Sequence, residues 1–183
     1  AFRTSISLSF ITAVVGAITG TCVAYAALTL KRPKWLRNVV MTFSGIAAQF
    51  GGIALAFMFI ASLGTVGIVT KFLKDTLHID LYGHGFSLFS FTGLIVVYTY
   101  FQIPLMVIVI APAIDGLRQQ WREAATNLGA TSTQYWLHVG LPVLAPSLLG
   151  GLLLLFANSF SAYATAAALT SGQINLVPIQ VGG

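Results

Sequence analysis

Four long stretches of the chain carry no Asp, Glu, Lys or Arg: Ser5 to Leu30, Val39 to Leu63, Phe86 to Ala111 and Pro142 to Leu169. Roughly 20 apolar residues in a helix cross a hydrocarbon core, so each stretch predicts a membrane-spanning helix. At about 1.5 Å per residue these would be about 37–42 Å long. That slightly exceeds the core and calls for tilt, kinks or frayed ends, and Pro104 predicts a kink in the third. The pattern reads as an all-α, polytopic transmembrane helix bundle forming a single domain over residues 1–183, with spans at about 5–30, 39–63, 86–111 and 142–169.

The connections orient the bundle. Lys31, Arg32, Lys34 and Arg37 fill the first with positive charge, and Arg118 and Arg122 lie in the third, whereas the second balances Lys71 and Lys74 against Asp75 and Asp80. Cytoplasmic loops carry the excess of Lys and Arg. The first and third connections are therefore cytoplasmic and the second external, with six basic residues inside against three outside, Arg3 included. Trp35, Trp121 and Trp136 all fall in the cytoplasmic connections, as interfacial rings do. Residues 1 and 183 are placed outside, and further spans are expected before Ala1 and after Gly183.

The first span has Ser5, Ser9, Ala13, Ala17 and Thr21 at four-residue spacing, with Gly16, Gly20 and Ala24 beside them. Small residues let helices approach closely where lipid removes the hydrophobic drive for association, so this is a packing helix.

Composition agrees with a bilayer as solvent. Of 183 residues 57% are hydrophobic and 7% charged, and the mean hydropathy is +0.89; soluble domains carry about 25% charged residues. A net charge of +5 does not indicate nucleic acid, because the basic residues sit in short clusters between apolar runs. One cysteine, Cys22, allows neither an intrachain disulfide nor a cysteine-based metal site.

The third connection, 112–141, is the informative one. About thirty residues stay in the cytoplasm where a few would turn the chain, and loops of that length are usually functional or disordered; this one reads as helix, break, helix. Asp115 is placed to cap a helix whose apolar stripe is Leu117, Trp121, Ala124, Ala125 and Leu128. Gly129 supplies a left-handed residue to end it. Thr131 followed by Gln134 is a capping-box pattern for a second short helix running to Pro142. The stripe must bury against its own bundle or against a partner.

Glu123-Ala124-Ala125, three residues, Gly129, nine residues, Val139, one residue and Leu141-Pro142 resembles the EAA loop of permease subunits of type I, binding-protein-dependent ABC importers. One position departs from the family pattern: Val139 stands where an Ile is usual. The resemblance covers essentially the whole chain, as a permease core lacking flanking spans. It implies that 112–141 is a coupling loop, with Glu123, Ala124, Ala125 and Gly129 contacting a separate ATP-binding subunit and Leu141 and Pro142 fixing the return to the membrane. It also implies the partners: two ATP-binding subunits, a second permease, identical or similar, and an external substrate-binding protein. The location would be the bacterial inner membrane and the mechanism alternating access. ATP and magnesium would belong to the partner subunit, with no cofactor in this chain and no covalent change in the solute.

Other chemistry finds little support. No lysine follows a glycine, so no phosphate-binding loop exists. His78 and His84 near Asp75 and Asp80 read as a solvated loop rather than a metal site. Gly85-Phe-Ser87 lacks the following glycine of a nucleophile elbow. The absence of ionisable residues from all four spans argues against a proton- or ion-coupled carrier, the alternative reading, in which this chain acts without an ATPase as a secondary carrier or channel. Gln49, Gln102, Asn158 and Tyr163 are polar residues at membrane depth; Asn158 and Tyr163, in the span after the coupling loop, are the first choice for lining a pathway. The general look of the spans is closest to permeases for polyamines, ferric iron, sulfate-like oxyanions, thiamine or phosphonates.

Overall fold

The computed structural model describes residues 2–29, 34–65, 67–77, 88, 90–162, 165 and 169. In chain order its helices are α1 (Phe2–Thr29), α2 (Lys34–Gln49), α3 (Gly52–Leu63), α4 (Ile68–Leu77), α5 (Phe91–Asp115), α6 (Gln119–Asn127), α7 (Ser132–Tyr135) and, after a π-helical turn at Trp136–Gly140, α8 (Leu141–Ser161). Among the described residues four runs are long and apolar enough to cross a membrane: Phe2–Leu28, Gly52–Phe72, Phe91–Asp115 and Ser132–Ser161.

α5 is the axis of the bundle, with α1, α2 and α8 packed around it. The small residues of α1 form the face it buries: Ser5, Ser9, Ala13, Ala17 and Ala24 are enclosed. Two glycines set how closely α5 comes. A Cβ on Gly16 would lie 2.8 Å from the Gln102 Cβ, and one on Gly20 would lie 2.6 Å from the Met106 Cβ and 2.8 Å from the Ile103 carbonyl oxygen. The GxxxG sequence is thus used within the chain, between α1 and α5.

Two apolar clusters stack along this pair. One joins Leu8 to Leu55, Ala56 and Phe59 of α3 and Leu94, Val97, Tyr98 and Phe101 of α5. The other joins Ala13, Ala17 and Ala24 to Met106, Val107, Ile110 and Ile114 and to Leu144 and Leu155 of α8. A polar clasp separates them. Gln102 Nε2 donates to Thr12 Oγ1 at 2.9 Å, and Thr12 Oγ1 lies 3.0 Å from Ser159 Oγ, so three helices share one buried hydroxyl. Thr12 Oγ1 itself donates to the Leu8 carbonyl at 2.8 Å, which leaves the Ser159 hydroxyl to donate to it.

Two elements differ from the sequence expectation. The single span expected over 39–63 is two helices, α2 and α3, interrupted at Phe50 and Gly51. Gly52 has φ +68°, a left-handed backbone open to glycine, and Thr165 Oγ1 donates to its carbonyl at 3.2 Å. This bond ties Thr165 to the first residue of α3, beside the break. Asp115 does not cap the loop helix. α5 runs on to Asp115 itself, and the residue before α6 is Arg118, which makes no side-chain cap. The Asp115 carboxylate instead accepts from Arg37 at 2.6 Å.

Candidate functional site

The loop after α5 folds by local rules. Gly129 has φ +80°; its N–H donates to the Thr126 carbonyl and the Ala130 N–H to the Ala125 carbonyl, both at 2.9 Å. These two bonds define a Schellman end, so α6 stops where the sequence requires. The capping box forms as well: Gln134 N–H donates to Thr131 Oγ1 at 3.3 Å and Thr131 N–H to Gln134 Oε1 at 2.8 Å.

The helical path then continues through the π turn into α8. Leu141 N–H donates to the Trp136 carbonyl, a five-residue step. Pro142 has no N–H to offer, and the wider turn immediately before it absorbs that missing bond. Trp136 is held edge-on by Tyr25 of α1, with ring centroids 5.2 Å apart. A Cβ on Gly140 would come 2.4 Å from the Trp136 ring, so glycine is what admits the indole. This aromatic contact ties the root of the loop to the bundle.

No residue of α6 is buried. The apolar stripe expected to choose between bundle and partner is not absorbed by the bundle: Leu128 is 88% exposed and Trp121 38%. Trp121, Ala124, Ala125 and Leu128 instead line an open apolar groove of about 410 Å³ with Val139 and Val143. On the other side of α6 is a polar cleft of about 700 Å³, lined by Asp115, Arg118, Arg122 and Glu123 and by Tyr25 and Trp136. The Glu-Ala-Ala motif therefore straddles the helix. Glu123 accepts from Gln119 Nε2 at 2.7 Å on the cleft side, and the two alanines present flat backbone on the groove side. A Cβ on Gly129 would meet nothing within 4 Å. Leu141 and Pro142, both exposed, begin α8. Glu123, Ala124 and Ala125 thus lie unburied on a short, well-terminated helix, the glutamate on one side and the alanines on the other.

The chain matches, over residues 14–182, the family described as binding-protein-dependent transport system inner membrane component. It belongs to that family. The permease is similar to the molybdenum transport system permease protein ModB of Mycobacterium tuberculosis, 28% identical over 150 residues that cover 80% of this chain and 52% of the relative. ModB of Escherichia coli is 28% identical over 129 residues, 69% of this chain and 54% of that protein. The sulfate transport system permease protein CysT of Escherichia coli is 33% identical over 75 residues, 41% of this chain and 27% of that protein. The chain spans about half the length of the ModB relatives it matches. By family it is a multi-pass inner-membrane protein of the type I ABC importer permease class.

The polar residues at membrane depth are sorted by the fold. Gln102 is fully enclosed in the three-helix clasp, where it joins helices. Gln49 is exposed at the last position of α2. Asn158 is exposed and lines a groove of about 420 Å³ together with Gly51, Gly52, Ser161 and Thr165. Tyr163 lies outside the described residues, as do His78, Asp80 and His84. Sequence reasoning missed Ser161, Thr165 and the break at Gly51-Gly52. The adjacent glycines were the available signal.

Proposed function

We propose that this chain is one permease subunit of an ATP-driven importer for a tetrahedral oxyanion of the molybdate and sulfate type, delivered by an external binding protein. A separate pair of ATP-binding subunits drives it through α6, and a second permease completes the pathway. The observation that carries the reading is the unburied Glu123-Ala124-Ala125 helix with its apolar groove, on a chain whose apolar spans hold charged residues only at their ends, Arg3, Lys71 and Asp115. Energy must then enter from outside the membrane, and α6 is the surface built to receive it.

The relatives' names and the groove at Asn158 support the oxyanion. Its polar lining is neutral, with the Asn158 amide and the Ser161 and Thr165 hydroxyls and no carboxylate. Conduction requires binding strong enough to admit a solute and weak enough to release it. The Ser161 and Thr165 hydroxyls already donate to the Ala157 and Gly52 carbonyls, so the Asn158 amide is the neutral donor that suits an anion under both conditions.

The test is reconstitution of the full-length permease with its ATP-binding subunits and binding protein, followed by uptake of radiolabelled molybdate and sulfate. Uptake should depend on ATP. Asn158→Asp should lower it at least tenfold, about 1.4 kcal/mol, by setting a carboxylate against the anion, while the ATP-binding subunits still co-purify. Gradient-driven flux by the permease alone would overturn the importer assignment, and unchanged anion uptake by Asn158→Asp would overturn the pathway.

A further inference from the structure

Arg37 and Asp115 are 78 positions apart, yet their side chains meet at 2.6 Å. Arg37 lies in the first turn of α2, and Asp115 is the last residue of α5, three residues before α6 begins to turn at Arg118. The pair therefore fastens the start of α2 to the root of the coupling loop. α2 then runs for 16 residues, about 24 Å at about 1.5 Å per residue, packed along α5. Its far end is the break at Phe50-Gly51, where Ala48, Gly51 and Gly52 form one wall of the groove that holds Asn158.

The electrostatics favour closure of this pair. A helix N-terminus carries partial positive charge and a C-terminus partial negative charge. Arg37 is thus at the unfavourable end of its own helix, and Asp115 at the unfavourable end of its own. Brought together, each charge meets its counterion and lies beside the favourable end of the neighbouring helix. Separation leaves both unfavourably placed, so the contact resists being pulled apart more than its half-exposed position alone suggests.

We infer that α2 is a strut, with Arg37 as a positioning residue that hands motion of the coupling loop to the pathway wall at Ala48-Gly52. The inference rests on the importer reading. It adds a second route between coupling loop and pathway, beside the direct continuation of the loop into α8. Motion of α6 displaces Asp115, Asp115 carries Arg37, and α2 moves as a rigid rod up to the glycine break. The break lets the groove wall shift while α3 stays packed in its own cluster with Phe59 against Tyr100.

The experiment uses the complete transporter in lipid nanodiscs, with Cys22→Ser to remove the native thiol and Ala48→Cys as a reporter at the far end of α2. Modification of the reporter by a water-soluble maleimide is timed with and without ATP. The parent is expected to show an ATP-dependent change in rate. Arg37→Ala should reduce that change by up to about fivefold, which corresponds to about 1 kcal/mol, the upper range for exposed ion pairs, while co-purification of the ATP-binding subunits is retained. The double exchange Arg37→Asp with Asp115→Arg should restore it, an outcome that general destabilisation does not produce. A full ATP response in Arg37→Ala, or failure of the double exchange to restore one that was lost, would overturn the strut. Absence of an ATP response at the reporter in a parent that still imports with ATP would likewise overturn the strut, whereas absence of ATP-dependent uptake by that parent would overturn the importer reading beneath it. No step depends on which anion is carried, so a wrong substrate is separable from a wrong strut.

Discussion

Substitution of Gly129 separates backbone geometry from surface contact at α6. With φ at +80°, an L-residue here pays the left-handed cost of roughly 1–2 kcal/mol. No described residue lies within 4 Å of an added Cβ, so packing among the described residues adds no term to it. The cost falls on the two 2.9 Å bonds that close α6, Gly129 N–H to Thr126 and Ala130 N–H to Ala125. At a factor of ten for about 1.4 kcal/mol, Gly129→Ala should lower hydrogen-exchange protection at these two amides by about 5- to 30-fold. Protection in α5 should be unchanged. Gly129→Asn should recover most of the loss, because asparagine tolerates the left-handed region, and Gly129→Val should be worse than alanine. Binding of the ATP-binding subunit to the nanodisc-held permease should follow the same order, Asn above Ala above Val. If affinity instead falls with side-chain volume, with asparagine as poor as valine, then glycine is required by close approach of the partner and the backbone argument fails.

Two further outcomes test the packing. Gly20→Val places branched atoms where a single Cβ is already 2.6 Å from Met106 and 2.8 Å from the Ile103 carbonyl; overpacking of this kind costs about 1–3 kcal/mol, read as a lowered melting temperature in detergent, whereas Gly45→Val, with nothing within 4 Å, should leave it unchanged. Thr12→Val strips the shared partner from both Gln102 and Ser159, and each buried polar group left unpaired costs about 1–3 kcal/mol. Combining Thr12→Val with Gln102→Leu should therefore cost less than the sum of the two, measured by a double-mutant cycle in unfolding, and strict additivity would refute the clasp.

The loop was legible because its signals are local. A glycine at the left-handed position, Thr131 three residues before Gln134, and proline at the start of α8 each act within one turn of helix, so their outcome is written in neighbouring residues. Asp115 misled for the opposite reason. Its side chain suits a helix start, but it lies within reach of Arg37, and a charge-assisted bond to a guanidinium outweighs a cap on exposed amides. The groove was only half legible: Asn158 follows from sequence position, whereas Ser161 and Thr165 join it only because α2 breaks there.

By itself the sequence determined the solvent, the apolar all-α character of the bundle and the local folding of the loop at Gly129 and Thr131. An uncompensated charge in hydrocarbon is costly enough to be excluded, and that exclusion leaves a pattern needing no partner to interpret. Tertiary structure decided the interruption between α2 and α3, the Arg37–Asp115 contact and the enclosure of Gln102. Each depends on residues far apart in the chain, Gly52 with Thr165, Arg37 with Asp115, Thr12 with Gln102. Whether such groups meet is set by how closely the helices approach, which the small residues of α1 permit but only the packed bundle fixes.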